Sequence, residues 1–251
     1  MRHPSPPPIR EQRGRFPAIE VPWSPGAGLL IMVAFIVIQL VLDTVAAYVA
    51  PRDRLCVQLG LASALILIAI CAFVRLRTKD ARDAADAVGL RFPGLKRALL
   101  GAIKPVLIGI PVLLGVAYGQ RAVMDYLQYE PPPQMIAEWL QNQIAGGVDA
   151  RVMAFIFLAV VAAPVTEELL FRAVLYLPMR SRYGPVTAAL VVSLIFTSVH
   201  AHLPGMLPLF VLALIFTWLL EKTGTLFWPI LAHAVYNGTM VLIMLLLGGQ
   251  L

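Results

Sequence analysis

The sequence predicts an all-α, polytopic transmembrane helical bundle of about seven transmembrane helices, with the functional residues in the last four. Hydrophobic residues make up 59% of the 251 residues, charged residues make up only 14%, and the mean hydropathy is +0.80. Soluble domains carry about 25% charged residues, so this composition is typical of a membrane protein. Seven apolar stretches reach or approach the roughly 20 residues that cross a bilayer. They are 27–50, 55–74, 99–118, 152–178, 184–200, 206–220 and 226–247.

The connections around these stretches alternate in basic charge. With Lys104 inside the third stretch set aside, and with Arg172 of the fourth stretch counted with the connection that follows it, alternate connections hold 15 and 4 of the Lys and Arg residues. Connections rich in Lys and Arg are usually cytoplasmic, so we expect a cytoplasmic N-terminus and a C-terminus on the other side. Because the positions of the basic residues are explained by topology, the net charge of +6 does not indicate nucleic acid, and no nucleic acid partner is expected. The predicted location is an integral, multi-pass position in the membrane bilayer, which in a bacterium is the plasma (inner) membrane.

The chain divides into four parts by composition. Residues 1–25 are rich in Pro and Arg and predict a flexible cytoplasmic tail. Residues 26–120 hold the first three transmembrane helices, expected to serve as scaffold, with a charged linker at 75–98. Residues 121–151 form a non-cytoplasmic connection, in which apolar residues recur at the spacing of a short amphipathic helix. Residues 152–251 hold the last four transmembrane helices, with nearly all the remaining polar residues at depth.

The fourth apolar stretch contains two adjacent glutamates and an arginine. Glu168 and Arg172 are four residues apart and share one helix face, which is the geometry of an ion pair. Glu167 points elsewhere and has no obvious partner in its own helix. We therefore predict that Glu168 and Arg172 hold structure, while Glu167 faces a cavity. The alternative is a charge cluster that anchors a helix end in the lipid head groups.

Two later stretches add matching polar residues. His200 ends the fifth stretch, and His233 and Asn237 lie four residues apart on the seventh. Each of these alone is typical of hydrogen bonds between membrane helices. A charged side chain at mid-bilayer costs roughly 2.5–3.5 kcal/mol, so three such helices indicate polar faces that meet around a wet cavity.

The residue types suit the hydrolysis of a carbonyl compound in two ways. A carboxylate and an imidazole can activate water as general bases, while a second His and an Asn amide donate to a developing oxyanion. Alternatively, Glu167, His200 and His233 form a three-ligand zinc set that leaves a position for water. Both versions stay open. We prefer the metal-free one slightly, because the spacing of His233 and Asn237 suits two convergent donors.

Three motifs, in this order, carry a family resemblance: Glu-Glu-x-x-x-Arg at 167–172, Phe-x-x-x-His at 196–200 and His-x-x-x-Asn at 233–237. Together they resemble the CPBP family, which includes the CAAX prenyl endopeptidases and the bacteriocin self-immunity (Abi) proteins. The resemblance implies an intramembrane endopeptidase with its catalytic core in 152–251. Its substrate would be a membrane-associated protein or peptide, with CAAX-type C-terminal processing as one form.

The resemblance also implies roles for the motif residues. Glu167 would be the catalytic glutamate and His200 its partner in activating water. His233 and Asn237 would form the oxyanion hole or complete a metal site, so the enzyme would be either a glutamate-type protease or a metalloprotease. Two other classes stay open: a non-proteolytic membrane scaffold or self-immunity protein, and a transporter that uses buried carboxylates and imidazoles as a proton relay.

Overall fold

The computed structural model describes residues 21–50, 53–130, 135–145, 147–200 and 203–246. Within these ranges the chain is helical and contains no β-strand, so the all-α class is confirmed. A 3₁₀ turn at Leu203–Gly205 precedes α8. The helices of the described part are α1 Pro25–Val49, α2 Arg54–Arg75, α3 Ala81–Ala87, α4 Leu95–Tyr126, α5 Met135–Ala145, α6 Ala150–Tyr183, α7 Pro185–Val199, α8 Met206–Thr223 and α9 Phe227–Leu246.

Five of these helices, α1, α2, α6, α8 and α9, are long and apolar enough to cross a membrane. Helix α7 is apolar but shorter, and α4 extends over 32 residues. Large apolar side chains such as Leu30, Leu40 and Ile68 are about two-thirds exposed, as expected of surfaces that face lipid. The polytopic bundle predicted from the sequence is therefore confirmed, and the count of seven crossings stays a prediction.

Two helices extend further than the hydropathy predicts. Helix α4 continues to Tyr126 although the apolar stretch ends at 118, because the polar residues beyond it are good helix formers. Helix α6 continues past 178 and ends at Gly184, whose φ of 83° is open to glycine without strain. Pro185 then starts α7 at once, with its ring in the first turn, where no N–H is needed.

Helix α6 forms the centre of the bundle and packs closely on α1. A Cβ atom on Gly28 of α1 would lie only 2.5 Å from the carbonyl oxygen of Val174 on α6, so the two backbones nearly touch. The indole Nε1 of Trp23 donates to the same carbonyl at 3.2 Å. Further along, the rings of Phe35 and Phe171 meet edge to face at 6.4 Å. Residue numbers rise along α1 as they fall along α6, so these two helices run antiparallel.

Two polar clusters fasten other helix pairs. Asp43 of α1 accepts a bond of 2.8 Å from Nε of Arg54 on α2, which satisfies a carboxylate within an otherwise apolar helix. Near the C-terminal end of α6, Arg180 pairs with Glu221 of α8. The Tyr176 hydroxyl donates to the same carboxylate at 2.8 Å. These contacts fix α2 relative to α1, and α8 relative to α6, which carries the glutamate motif.

Candidate active site

Two short π-helical segments inside α6 bracket the glutamate pair. The first, Leu158–Ala162, precedes the pair, and the second, Leu169–Tyr176, follows it. Each segment ends two residues before a proline, Pro164 or Pro178. A proline has no N–H and crowds the carbonyl four residues earlier, and we attribute each widened turn to that crowding. A backbone carbonyl in each segment accepts a hydrogen bond from a side chain outside α6.

Glu168 is fully buried and has two partners. Its Oε2 lies 3.0 Å from Nε of Arg172, which is also fully buried. The contact is an ion pair rather than an aligned hydrogen bond. Its Oε1 accepts a bond of 2.9 Å from Nδ1 of His233 on α9. The pairing of Glu168 with Arg172 therefore coexists with a link between α6 and α9.

Arg172 is enclosed by α7 and α8. Its Nη2 donates to the carbonyl oxygen of Ala213 at 3.1 Å. Its guanidinium carbon lies 5.0 Å from the ring centre of Phe196 and 5.4 Å from that of Phe216, within cation–π range. A buried charge is tolerated when it is paired and hydrogen-bonded, so Arg172 joins α6, α7 and α8 around Glu168.

Glu167 points in a different direction from Glu168. Its Oε2 is buried and has no hydrogen-bond partner among the described residues, although the side chain as a whole is 21% exposed. The same oxygen lies 4.0 Å from Nε2 of His200 on α7 and 3.9 Å from Nε2 of His233. One carboxylate oxygen therefore stands between two imidazole nitrogens, each beyond direct hydrogen-bonding distance.

The other bonds of the two imidazoles define which nitrogen faces Glu167. Nδ1 of His200 lies 2.7 Å from the carbonyl oxygen of Phe196, and a carbonyl only accepts, so Nδ1 carries the hydrogen. Nδ1 of His233 donates in the same way to the ion-paired carboxylate of Glu168. In the neutral rings both Nε2 atoms therefore present lone pairs on the side of Glu167.

Asn237 is held on the first π segment. Its Nδ2 donates to the carbonyl oxygen of Ala159 at 2.8 Å, which uses one of the two amide hydrogens. Asn237 also lies one turn beyond His233 on α9. The other five candidate residues form a continuous set of contacts. The side chain of Asn237 is bonded to the backbone of α6, the same central helix.

A cavity of about 600 Å³ opens on Glu167 and His200. This volume falls in the usual range for ligand sites, about 300–1,000 Å³. Helices α1, α2, α6 and α7 form its walls. The α1 wall carries Phe35, Gln39 and Asp43 at intervals of four residues, which places them on one face.

The sequence motifs did not point to the residues of the opposite wall. Gln39 and Asp43 of α1, with Gln58 of α2, line the cavity that Glu167 faces. A signal was present, because a polar side chain in a transmembrane helix needs a partner or a wet surface. The first helices therefore contribute to the site as well as to the scaffold.

The donors at the site match zinc in chemistry but not in spacing. Glu167, His200 and His233 offer a carboxylate and two imidazole lone pairs, with each imidazole oriented through its Nδ1. Two ligands of a tetrahedral zinc lie about 3.3 Å apart, whereas Glu167 Oε2 lies 3.9 and 4.0 Å from the two nitrogens. Over the described ranges, no group of three or more His, Cys, Asp or Glu residues has metal-binding geometry. As arranged, these three residues do not fit a metal ion.

The bundle and its site define a polytopic membrane protein with a buried carboxylate–imidazole centre. Residues 149–239 match the family model described as Rce1-like, type II CAAX prenyl endopeptidase. The match spans α6 to α8 and part of α9, contains all six candidate residues, and leaves α1 to α5 outside. It confirms, for this segment, the resemblance carried by the three motifs. Neither the curated proteins nor the solved structures give a significant match to the chain.

Proposed function

We propose that the chain is an intramembrane endopeptidase that uses Glu167 to activate water. Its proposed substrate is a membrane-associated protein or peptide cleaved near a CAAX-type C-terminus, in keeping with the family that residues 149–239 match. The observation that carries the proposal is the position of Glu167 Oε2. This buried, unpartnered oxygen lies between two imidazole nitrogens and at a cavity wall.

The spacing at Glu167 suits one water molecule. Separations of 3.9 and 4.0 Å are too long for a direct hydrogen bond, but a bridging water with bonds of about 2.8 Å spans them. A buried water needs two to four polar partners. Because a water has two hydrogens, Glu167 Oε2 and Nε2 of His200 accept them, and His233 is left to serve the oxyanion.

The reaction follows from these acceptors. As the water oxygen attacks the carbonyl carbon of the scissile peptide, Glu167 Oε2 takes one of its protons. The new C–O bond gives a tetrahedral intermediate with a negative oxygen. Collapse of the intermediate breaks the C–N bond, and the amine leaves with the proton that Glu167 held. The products are a carboxyl group and an amine, and Glu167 is ready for the next water.

His233 and Asn237 are the proposed donors to the oxyanion. The neutral ring of His233 has no hydrogen on Nε2, so it donates only as an imidazolium. Its charge and that of Arg172 are then balanced by the two carboxylates, Glu167 and Glu168. Asn237 contributes the amide hydrogen that Ala159 does not use. Donors of this kind stabilise the charge that develops in the transition state. His200, held by its own helix, orients the water with Glu167.

The test compares Glu167→Gln with wild type in proteoliposomes, on a prenylated CAAX-type peptide and on a peptide library. Gln keeps the volume but removes the base, so we expect turnover to fall at least 10²–10⁴-fold while the melting temperature stays near wild type. Glu138→Gln, the same change on an exposed residue of α5, is the control. Near-wild-type turnover by Glu167→Gln contradicts the proposal. Failure of wild type to cleave either substrate favours the scaffold alternative.

The same preparation tests the metal-free version of the mechanism. Because the spacing of the three donors does not fit zinc, we expect turnover to survive exhaustive chelation, with no stoichiometric metal in the active protein. One zinc per chain, lost together with activity in His233→Ala, would overturn this part of the proposal.

A further inference from the structure

We propose that Gln39 on α1 binds the main chain of the substrate peptide, through a peptide N–H that its side-chain oxygen accepts. Gln39 would then be a positioning residue that holds the substrate against Glu167 across the cavity. This inference rests on the proposed peptidase function and names the group of the substrate that the α1 wall recognises.

The first observation is an unsatisfied acceptor. Oε1 of Gln39 is buried and has no hydrogen-bond partner among the residues that the structure describes. A buried polar atom without a partner costs about 1–3 kcal/mol. Gln39 also lines the cavity, so a turn of its amide toward the cavity would present the oxygen to a donor bound there. Glu167 as a carboxylate cannot be that donor, because a carboxylate only accepts.

The second observation is that Gln39 and Glu167 occupy matching levels of two antiparallel helices. The ring contact between Phe35 of α1 and Phe171 of α6 forms an apolar floor. One turn from this floor, Gln39 follows Phe35 on α1. Because the helices are antiparallel, the matching turn on α6 holds Glu167, four residues before Phe171. A group bound between the two walls therefore contacts Gln39 on one side and the activated water on the other.

The chemistry of this level favours a peptide over a lipid chain. An extended peptide presents N–H groups along its length, whereas an acyl or prenyl chain has no hydrogen-bond donor. Beyond Gln39 the wall becomes more polar, since the ion pair of Asp43 and Arg54 lies two turns from Phe35 and is about one-third exposed. Along α1 the cavity wall thus changes from apolar at Phe35, through the hydrogen-bonding Gln39, to charged at Asp43.

The first arm of the test measures the kinetics of Gln39→Met, which keeps the side-chain length but removes both hydrogen-bonding groups. Loss of one hydrogen bond of about 0.5–1.5 kcal/mol predicts a KM raised roughly 2- to 13-fold with kcat nearly unchanged. Thr44→Val is the matched control. It lies on the same helix, and its hydroxyl is already bonded to the Leu40 carbonyl within α1.

The second arm changes the peptide instead of the protein, so folding of the variant does not enter. Peptides with a single backbone N–H replaced by N–CH₃ are titrated against two proteins that carry Glu167→Gln to prevent cleavage. One keeps Gln39 (the Gln39 protein), and the other also carries Gln39→Met. We expect methylation at one position to weaken binding to the Gln39 protein and to have no further effect on Gln39→Met. A structural role for Gln39 alone would not produce this dependence on one peptide position.

The outcomes separate this inference from the proposed function. If Gln39→Met binds the peptide as tightly as the Gln39 protein, and the methylation pattern is the same for both, Gln39 does not bind the substrate. That result leaves the proposed peptidase intact if Glu167→Gln abolishes turnover. Conversely, if Glu167→Gln retains turnover while one N–H position depends on Gln39, the inference stands and the proposed function of Glu167 fails.

Discussion

Glu167 and Glu168 are adjacent in the chain, and the helix alone separates their environments. Successive residues point about 100° apart, so Glu168 faces Arg172 and α9 while Glu167 faces the cavity. Glu168 serves two groups at once, because it neutralises a buried guanidinium and accepts the Nδ1 hydrogen of His233. Changing its charge therefore alters both stability and the orientation of an imidazole at the site.

We expect Glu168→Gln to lower the free energy of unfolding by about 3–5 kcal/mol, because Arg172 is left buried without a counter-charge. Unfolding in mixed micelles with increasing denaturing detergent measures this loss. The double variant Glu168→Gln with Arg172→Met removes both charges, so it is expected to be more stable than Glu168→Gln alone. Stability of Glu168→Gln equal to that of the parent would contradict the buried ion pair.

Sequence spacing could predict the pairing of Glu168 with Arg172 but not its second partner. Both members of the first pair lie within one helical turn, so local geometry decides their contact. His233 lies 65 residues from Glu168, and only the packing of α9 on α6 brings it there. The sequence does not reveal the importance of Gln39 either, because only tertiary packing places it and Glu167 on the same cavity.

At the scale of whole helices, the π segments of α6 explain how the site is held. Hydropathy predicted the apolar stretch that became α6. The periodicity of an apolar helix does not reveal whether a turn widens, because apolar residues fill every face. The first π segment receives Asn237 through Ala159, and the second receives Trp23 through Val174. The first widened turn thus holds α9, and the second holds the segment that leads into α1.

The Asn237 contact leads to a prediction about catalysis. Asn237→Ala removes both the bond to Ala159 and the proposed oxyanion donor, so we expect kcat to fall about 10²–10³-fold with little change in KM. Steady-state kinetics in proteoliposomes measure both constants. Thr239→Val is the control, because the Thr239 hydroxyl bonds within α9 to Val235. An increase in KM at constant kcat would instead assign Asn237 to substrate binding.

The contact of α1 with the second π segment gives a prediction about stability. In Gly28→Ala the new methyl group would lie 2.5 Å from the Val174 carbonyl oxygen, and backbone cannot move aside easily. We expect a loss of about 1–3 kcal/mol, read as a lower melting temperature in detergent. Gly26→Ala, whose methyl would meet only the Ser24 hydroxyl at 3.9 Å, is expected to leave it unchanged. Equal melting temperatures for the two variants would contradict the close packing of α1 on α6.

For the whole molecule, the antiparallel packing of α1 on α6 agrees with the direction that alternate basic connections predict for these helices. An outward α1 and an inward α6 follow from a cytoplasmic N-terminus. Because α6 extends to Tyr183, Glu167 lies near the middle of its 34 residues. The shorter stretch 152–178 would have placed Glu167 beyond its centre, toward the cytoplasmic end. The proposed base at mid-helix suits a cavity that reaches deep into the bundle.

This topology predicts opposite accessibility for two connections that the structure describes. Lys79, between α2 and α3, is expected in the cytoplasm, and Val148, between α5 and α6, on the other side. Both residues are exposed, so Lys79→Cys and Val148→Cys can be labelled without disturbing the core. The native Cys56 and Cys71 are free thiols and are first replaced by Ala.

In intact cells or right-side-out vesicles, a membrane-impermeant maleimide should label only the Val148→Cys protein, and permeabilisation should add the Lys79→Cys protein. The background without cysteines controls for non-specific labelling. Labelling of both positions from the same side would contradict the prediction that basic and non-basic connections lie on opposite sides of the membrane. It would require an even number of crossings between these positions, although α4 lies there as a single helix of 32 residues. Labelling of the Lys79→Cys protein alone would invert the orientation and assign the basic connections to the outer face.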